Sequence, residues 1–167
     1  MTSLLQTSDR PAIDALSARQ AAELVEHARA LMRGAGGPAG TGPLQGKYLG
    51  LVCASPDAAD AILFQRAATE LGASVTVIRA DAVASSPLAE MQNTGRVLAR
   101  LYDALECQGI APALLERLTR AAGVPVYAGL ATADHPTARL AAMIDGDAVP
   151  DAKRRFVLQA ALLKSLL

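Results

Sequence analysis

Short apolar runs alternate along this chain with longer segments of helical periodicity, and this alternation restricts its fold more than any other feature. Between the runs, apolar residues recur every three or four positions, as in amphipathic helices. Strands that alternate with helices form a parallel sheet covered on both faces. We therefore predict an α/β fold of three layers, with strands over 47–53, 74–79, 103–107 and 124–127. The predicted core includes Leu51, Val77, Leu105 and Val126.

Typical start and stop residues bound the predicted helices. Ser17, with Gln20 three residues later, predicts a capping box at the start of a helix over 17–33. Ser55-Pro56-Asp57 predicts the start of a second helix, and Gly72 its end. Further helices are predicted over 90–101, 112–122, 136–144 and 152–167, with a loop over 80–88 and a flexible, glycine-rich connector over 33–43.

Length and composition exclude several classes of function. The 167 residues suit one domain, and 16 basic against 16 acidic residues leave no net charge to attract nucleic acid. Aromatic residues, which stack on bases, make up only 3%. No apolar stretch reaches the roughly 18 residues of a membrane span, and residues 1–14 do not resemble a signal peptide. We therefore expect a cytoplasmic protein that binds neither nucleic acid nor membrane.

The two cysteines, Cys53 and Cys107, both lie in apolar runs. Two cysteines do not make a disulfide framework, and their surroundings favour buried, unreactive thiols. No cofactor or metal site is expected from the sequence.

Several short motifs resemble the aspartate and ornithine carbamoyltransferases. The most specific is His135-Pro136-Thr137 at its distance from Val124-Pro125-Val126, with Gly129-Leu130 between them. Upstream, the resemblance includes Leu16-Ser17, Leu44-Gln45-Gly46-Lys47, Phe64, Ala67-Ala68, Leu71-Gly72, Asn93-Thr94-Gly95-Arg96-Val97-Leu98 and Tyr102-Asp103. Together these motifs cover residues 16–145.

The resemblance implies the carbamoyl-phosphate-binding, N-terminal domain of that family, with a four-stranded parallel sheet in the order 2-1-3-4. Residues 152–167 resemble the family's last helix, which returns from the second domain to pack on the first. Here that helix follows the His135 segment almost directly. We therefore expect a single domain over 1–167 that keeps the closing helix, with the amino-acid-binding second domain absent. Phe156, Ala160, Leu163 and Leu167 are expected to pack around Leu24 and Leu31 of the first helix.

The family's phosphate-binding loop, Ser-Thr-Arg-Thr-Arg, is replaced in this sequence. The matching positions are Asp57, Ala58, Ala59, Asp60 and Ala61. The hydroxyl and guanidinium groups are therefore lost, and two carboxylates stand where a dianion would bind. Asp57 and Asp60 are interpreted either as residues that satisfy N–H groups at a helix start or as a new site for a cation or amine.

Other positions of the family's reaction site also differ. The arginine after the third strand, which polarises the carbamoyl group in the family, matches Gln108, and the glutamine after His-Pro-Thr matches Ala138. His135 and Thr137 match the family site. His135 has two interpretations: a structural residue at a helix start or a retained ligand contact.

Three functions follow from these residues. The first is a degenerate, non-catalytic domain that acts by assembly or regulation. The second is a module that binds a small metabolite in the same crevice. The third is a carbamoyltransferase completed by a partner chain. The resemblance also implies a homotrimer, or a mixed assembly with a full-length carbamoyltransferase, in which residues 82–91 reach the neighbour through Val83, Leu88 and Met91.

Overall fold

Four parallel strands and seven helices make up the part of the chain that the computed structural model describes, residues 16–35, 41–85, 87 and 90–167. The strands are β1 (Tyr48–Cys53), β2 (Ser74–Arg79), β3 (Ala104–Gln108) and β4 (Val126–Ala128). The helices are α1 (Ala18–Arg33), α2 (Ala59–Glu70), α3 (Ala80–Ala84), α4 (Met91–Leu101), α5 (Pro112–Ala121), α6 (Pro136–Ala141) and α7 (Pro150–Leu166).

The sheet has the order β2-β1-β3-β4, and every pair of neighbouring strands is parallel. The central strands are β1 and β3, which pair Leu51 with Glu106 and Val52 with Cys107. The predicted fold class and strand order are confirmed. In such a sheet the carboxyl ends of all strands meet at one edge, where a ligand crevice forms.

Side chains alternate between two buried clusters on opposite faces of the sheet, as the pleat of a strand requires. On β1, Leu51 and Cys53 belong to the cluster under α1, α2, α6 and α7, whereas Val52 belongs to the one under α4 and α5. Leu105 and Cys107 lie in the second cluster. The two cysteines therefore face opposite layers, and both are buried and free, as predicted.

One core prediction is wrong. Leu51 and Leu105 are fully buried and Val126 is partly buried, but Val77 is 36% exposed. Val77 lies on β2, which pairs only with β1 and forms one edge of the sheet. The helical layers cover an edge strand less completely than the centre, so an apolar side chain there keeps part of its surface in solvent.

The start of α1 is as predicted. The Ser17 hydroxyl accepts from the backbone N–H of Gln20 at 3.3 Å, and the Gln20 side chain accepts from the N–H of Ser17 at 2.9 Å. This reciprocal capping box satisfies two N–H groups that the helix leaves without intrahelical partners. Of the predicted connector over 33–43, residues 36–40 lie outside the described residues.

The start of α2 differs from the prediction. Ser55 does not cap the helix: its carbonyl accepts from Ala58 N at 3.1 Å, closing a turn over 55–58. Ala58 is extended, with φ −64° and ψ 146°, and α2 begins at Ala59 without a side-chain cap. The serine-proline-aspartate signature therefore marks a turn, and the carboxylate of Asp57 precedes the helix instead of lying in its first turn.

The predicted loop over 80–88 also differs, because its first part forms α3. Its sequence, ADAVA, is rich in the residue with the highest helix propensity. The Asp81 carboxylate accepts from Ala82 N at 2.9 Å and pairs with Arg79, which lowers the pKa of Asp81. Val83, expected at a subunit contact, is buried within its own chain, while Leu88 and the side chain of Met91 lie outside the described residues.

The closing helix α7 is buried along most of its length and contacts α1, α2 and α6. Phe156, Ala160 and Leu163 lie in one apolar cluster with Leu24 and Leu31, as expected. The prediction for Leu167 is wrong: this residue is 76% exposed. Leu167 follows the last helical residue, at a point that none of the described helices covers.

Candidate ligand cleft

A cleft of about 400 Å³ opens at the carboxyl ends of β1 and β3. The turn after β1, the start of α2 and the loop after β4 surround it. This is the place where parallel α/β sheets bind ligands. The lining residues are Cys53, Ala54, Ser55, Ala58, Asp60, Gln108, Gly109, Thr132, Ala133 and Asp134.

Three of the seven predicted site residues meet in this cleft: Ala58, Asp60 and Gln108. Asp57 is exposed outside it, and Ala59 lines a separate groove between α2 and α7. His135 and Thr137 are buried beside the cleft's loop but do not line it. The predicted residues therefore divide between the cleft, the neighbouring surface and the core.

Asp60 faces the closing helix. Its Oδ1 lies 3.6 Å from Nη2 of Arg154 on α7, and the same Nη2 donates to the carbonyl of Ala131 at 2.6 Å. Asp60 is in the first turn of α2, but no side chain caps that helix. The interpretation of Asp60 as a residue that caps the helix therefore receives no support. Arg154 on α7 partly balances the negative charge of Asp60.

Gln108 is 7% exposed and holds a fixed orientation. Its Nε2 donates to the carbonyl of Asp60 at 3.3 Å and to Oε1 of Glu106 at 3.0 Å. Both acceptors lack hydrogens, so the amide nitrogen must point toward them and the amide oxygen away from them. Gln108 thus links the start of α2 to β3.

Glu106, which sequence reasoning missed, is the fully buried anion beneath the cleft. Besides Gln108 Nε2, its carboxylate accepts from the backbone N–H groups of Leu130, at 3.0 Å, and Ala131, at 3.2 Å. These bonds fix the loop that follows β4. The signal in the sequence is a single acid within the run ALECQ, since a charge in a buried strand requires dedicated partners.

The thiol next to Glu106 has a strongly shifted pKa. Burial, and then the negative charge of Glu106, raise the pKa of Cys107 from 9.0 to about 12. Burial also raises the pKa of Cys53. Neither cysteine is therefore a thiolate at neutral pH, which argues against a nucleophilic role for Cys53 in the cleft.

His135 and Thr137 act on the chain around them. Nδ1 of His135 accepts from the backbone N–H of Thr137 at 3.2 Å and so caps α6. The Thr137 hydroxyl lies 2.8 Å from that nitrogen and 2.9 Å from the carbonyl of Leu130. At 5% and 2% exposure, both side chains are enclosed by protein, which favours the structural interpretation of His135.

Residues 11–145 match the family model described as the aspartate/ornithine carbamoyltransferase carbamoyl-P binding domain. The chain belongs to this family. Over 98 residues, the chain is 36% identical to the catabolic ornithine carbamoyltransferase of Pseudomonas putida. This alignment covers 59% of the chain and 29% of that protein. The predicted family is therefore confirmed by a match that extends over most of the chain.

Solved carbamoyltransferases share the fold. The ornithine carbamoyltransferase of Gloeobacter violaceus has a TM-score of 0.58 and 29% identity, over 78% of this chain and 41% of that protein. The mitochondrial enzyme of Coccidioides immitis has a TM-score of 0.64 and 18% identity, over 84% of this chain and 46% of that protein. This family member therefore spans less than half of the relatives that it matches.

The described residues also lack two other kinds of feature. Among their helices, none combines the length and apolar character needed to cross a bilayer. The same part of the chain contains no group of three or more His, Cys, Asp or Glu side chains placed to hold a metal ion.

Proposed function

We propose that this chain is a non-catalytic carbamoyltransferase-like domain that acts by assembly or regulation in amino-acid metabolism. The observation that carries the proposal is the charge of the cleft. Its described lining residues include two carboxylates, Asp60 and Asp134, and neither lysine nor arginine. A cleft of this charge repels a phosphate dianion, whereas phosphate sites are built from N–H donors and cations.

The surroundings of the replaced loop support the proposal. Ala61, at the position that resembles the second loop arginine of the family, is fully buried in the core. An arginine could not occupy that position without repacking α2. Arg154 of the closing helix is engaged with Asp60 and with the carbonyl of Ala131. Its charge is thus already directed at protein groups instead of a ligand.

The other two functions have unequal support. The size of the cleft, about 400 Å³, favours the metabolite-binding module, since small-molecule pockets are of this order. A carbamoyltransferase completed by a partner chain would need His135 or Thr137 to face substrate. Both are buried and bonded to their own loop, so this alternative lacks a comparable observation.

The proposed setting is the cytoplasm, with a homotrimer or a mixed assembly as the working form. Residues 142–149 alone connect α6 to α7, which leaves no room between them for the amino-acid-binding domain. This short connection supports the interpretation of α7 as the closing helix of a single-domain chain.

Titration calorimetry with fresh carbamoyl phosphate tests the proposal. We expect no saturable heat at millimolar ligand, and no transfer of the carbamoyl group to aspartate or ornithine. Each lost charge-assisted hydrogen bond costs roughly 1.5–3 kcal/mol of binding free energy, and several are lost together. The variant Asp60→Thr should gain measurable affinity, because it removes one of the two carboxylates that line the cleft and puts a hydroxyl donor in its place.

Inorganic phosphate and aspartate alone are the matched controls for nonspecific heat. A dissociation constant in the micromolar range for the unaltered chain would overturn the proposal. Transfer activity that appears only after a full-length ornithine carbamoyltransferase is added, and exceeds the activity of that enzyme alone, would favour the partner-completed enzyme instead.

A further inference from the structure

The amide oxygen of Gln108 is an unused acceptor in the wall of the cleft. Both hydrogens of Nε2 are committed, to Glu106 Oε1 at 3.0 Å and to the Asp60 carbonyl at 3.3 Å. Within the described part of the chain, no donor contacts Oε1, although the residue is only 7% exposed. Gln108 lines the cleft, and with Nε2 committed its Oε1 is the polar side-chain atom left to bind a ligand there.

The other polar side chains of the cleft can also accept hydrogen bonds, and the Ser55 hydroxyl can donate as well. Asp60 and Asp134 contribute carboxylates. The Thr132 hydroxyl donates its hydrogen to the carbonyl of Gly129 at 2.7 Å, which leaves its oxygen as an acceptor. Arg154, which pairs with Asp60, is not among the lining residues. A cleft of oxygen acceptors and net negative charge suits a ligand that donates hydrogen bonds and carries positive charge.

We propose that this cleft binds a small organic cation bearing N–H donors, such as an alkylammonium or guanidinium group, with Gln108 Oε1 and Asp134 as its acceptors. The buried amide of Gln108 fixes the direction from which the cation's N–H group binds, and the exposed carboxylate of Asp134 attracts its positive charge. Asp60 contributes less, because Arg154 already lies 3.6 Å from its Oδ1.

The proposal deepens the metabolite-binding form of the proposed function and rests on the loss of the phosphate site. The two can fail separately. Carbamoyl-phosphate binding would contradict the non-catalytic assignment, whereas failure of cation binding would leave an assembly role intact.

Two-dimensional amide NMR of the full chain, at constant ionic strength, provides the test. The probes are ethylammonium, ethylguanidinium and tetramethylammonium chlorides and inorganic phosphate. We expect saturable shifts at the amides of Ser55, Gly109 and Asp134 with one or both of the first two probes. Tetramethylammonium has the same charge but no N–H donor, and should give no saturable shift.

Matched variants locate the site. Asp134→Asn should weaken binding by about threefold, the scale of a solvent-exposed charge contact. Asp57→Asn removes an equal charge outside the cleft and should change affinity by less than that.

Gln108→Met, with its fold checked by thermal melting, should weaken binding by about tenfold or more, because a fixed acceptor for a cation is lost. Equal shifts with ethylammonium and tetramethylammonium, saturable binding of phosphate at these amides, or equal effects of the two aspartate variants would overturn the inference.

Discussion

At the scale of single residues, Glu106 connects the sheet to the cleft. A buried carboxylate is stable only when hydrogen bonds replace its lost hydration. Among the described residues, the donors to this carboxylate include Gln108 Nε2 and the backbone N–H groups of Leu130 and Ala131. The anion thereby fixes both the loop after β4 and the amide of Gln108.

Glu106→Gln is expected to lower the free energy of unfolding by about 1–3 kcal/mol, because the new amide NH₂ would face a backbone donor. Urea unfolding followed by far-UV circular dichroism measures this change. Glu116→Gln is the matched control: Glu116 lies on the exposed surface of α5, paired with Arg120, and its loss should cost less than about 1 kcal/mol. Equal costs for the two variants would contradict a special role for Glu106.

Cys107 gives the chain a pH dependence at alkaline pH. Burial and the charge of Glu106 raise the folded-state pKa of Cys107 from 9.0 to about 12. The folded chain therefore holds this proton more tightly than the unfolded chain. The resulting stability is fully present below pH 9 and is lost between pH 9 and about 12, as the unfolded thiol ionises.

Urea midpoints measured from pH 8 to pH 11 test this dependence. The unaltered chain should lose stability more steeply above pH 9 than the variant Cys107→Ala, which has no thiol to ionise. A constant offset caused by the smaller alanine side chain is expected and does not affect the slopes. Parallel curves for the two proteins would show that Cys107 ionises equally in the folded and unfolded states.

The roles of individual residues were harder to predict from the sequence than the fold. The resemblance predicted that Asp57–Ala61 replace the family's phosphate loop and that Gln108 replaces the arginine that polarises the carbamoyl group. The partners of Asp60 and Gln108 could not be predicted, because Arg154 and Glu106 approach them from distant segments. Likewise, the buried position of His135 depends on how the loop after β4 folds back on β3, which no local pattern encodes.

At the scale of elements, local chemistry predicted some boundaries and misplaced others. The Ser17–Gln20 capping box was visible because both partners lie within one turn. The start of α2 was misplaced because Ser55-Pro56-Asp57 suits a turn as well as a helix start. In the structure it forms a turn, and the extended backbone of Ala58 lies between that turn and the helix. The short helix α3 was missed because five residues are too few for a periodic pattern.

The closing helix α7 should be essential to the fold. Its buried residues include Val157, Leu158, Leu162 and Leu166, and each such side chain contributes about 1.5–3 kcal/mol when buried. A whole domain is stable by only about 5–15 kcal/mol. Deleting residues 152–167 should therefore leave an insoluble or molten chain, as judged by expression, near-UV circular dichroism and dye binding.

Two leucines of this segment provide a matched comparison. Leu162 is fully buried and Leu167 is 76% exposed. Leu162→Ala should lower the free energy of unfolding by about 2–5 kcal/mol, whereas Leu167→Ala should change it by less than about 0.5 kcal/mol. A truncated chain that melts at the full-length temperature would show instead that α7 is an appendage.

At the scale of the whole molecule, the fold was predictable because its determinants are redundant. Four apolar runs and the helices between them require a covered parallel sheet, and the order β2-β1-β3-β4 followed from the family resemblance. The exposure of Val77 was not predictable from its run, since a central and an edge strand have similar sequences. Which strand lies at the edge is a property of the assembled sheet.

Assembly is the property on which the proposed function depends. The family resemblance implies trimer contacts through this domain, and a chain of zero net charge has little self-repulsion to oppose them. Val83 is already buried in its own chain, so it cannot supply the contact expected of it. A trimer must therefore use other apolar surface, and exposed candidates include Val97 and Leu101, one turn apart on α4.

We expect light scattering at micromolar concentration to give three times the chain mass of 17.2 kDa. The double variant Val97→Asp, Leu101→Asp should lower the mass toward one chain, because two carboxylates would be buried without partners at the contact. Ile62→Asp, equally exposed on α2, is the matched control and should leave the mass unchanged.

Native mass spectrometry after mixing with a full-length ornithine carbamoyltransferase tests for the mixed assembly. A mass near one chain that does not rise on concentrating the sample, and no mixed species, would leave the cleft as the only basis for a function.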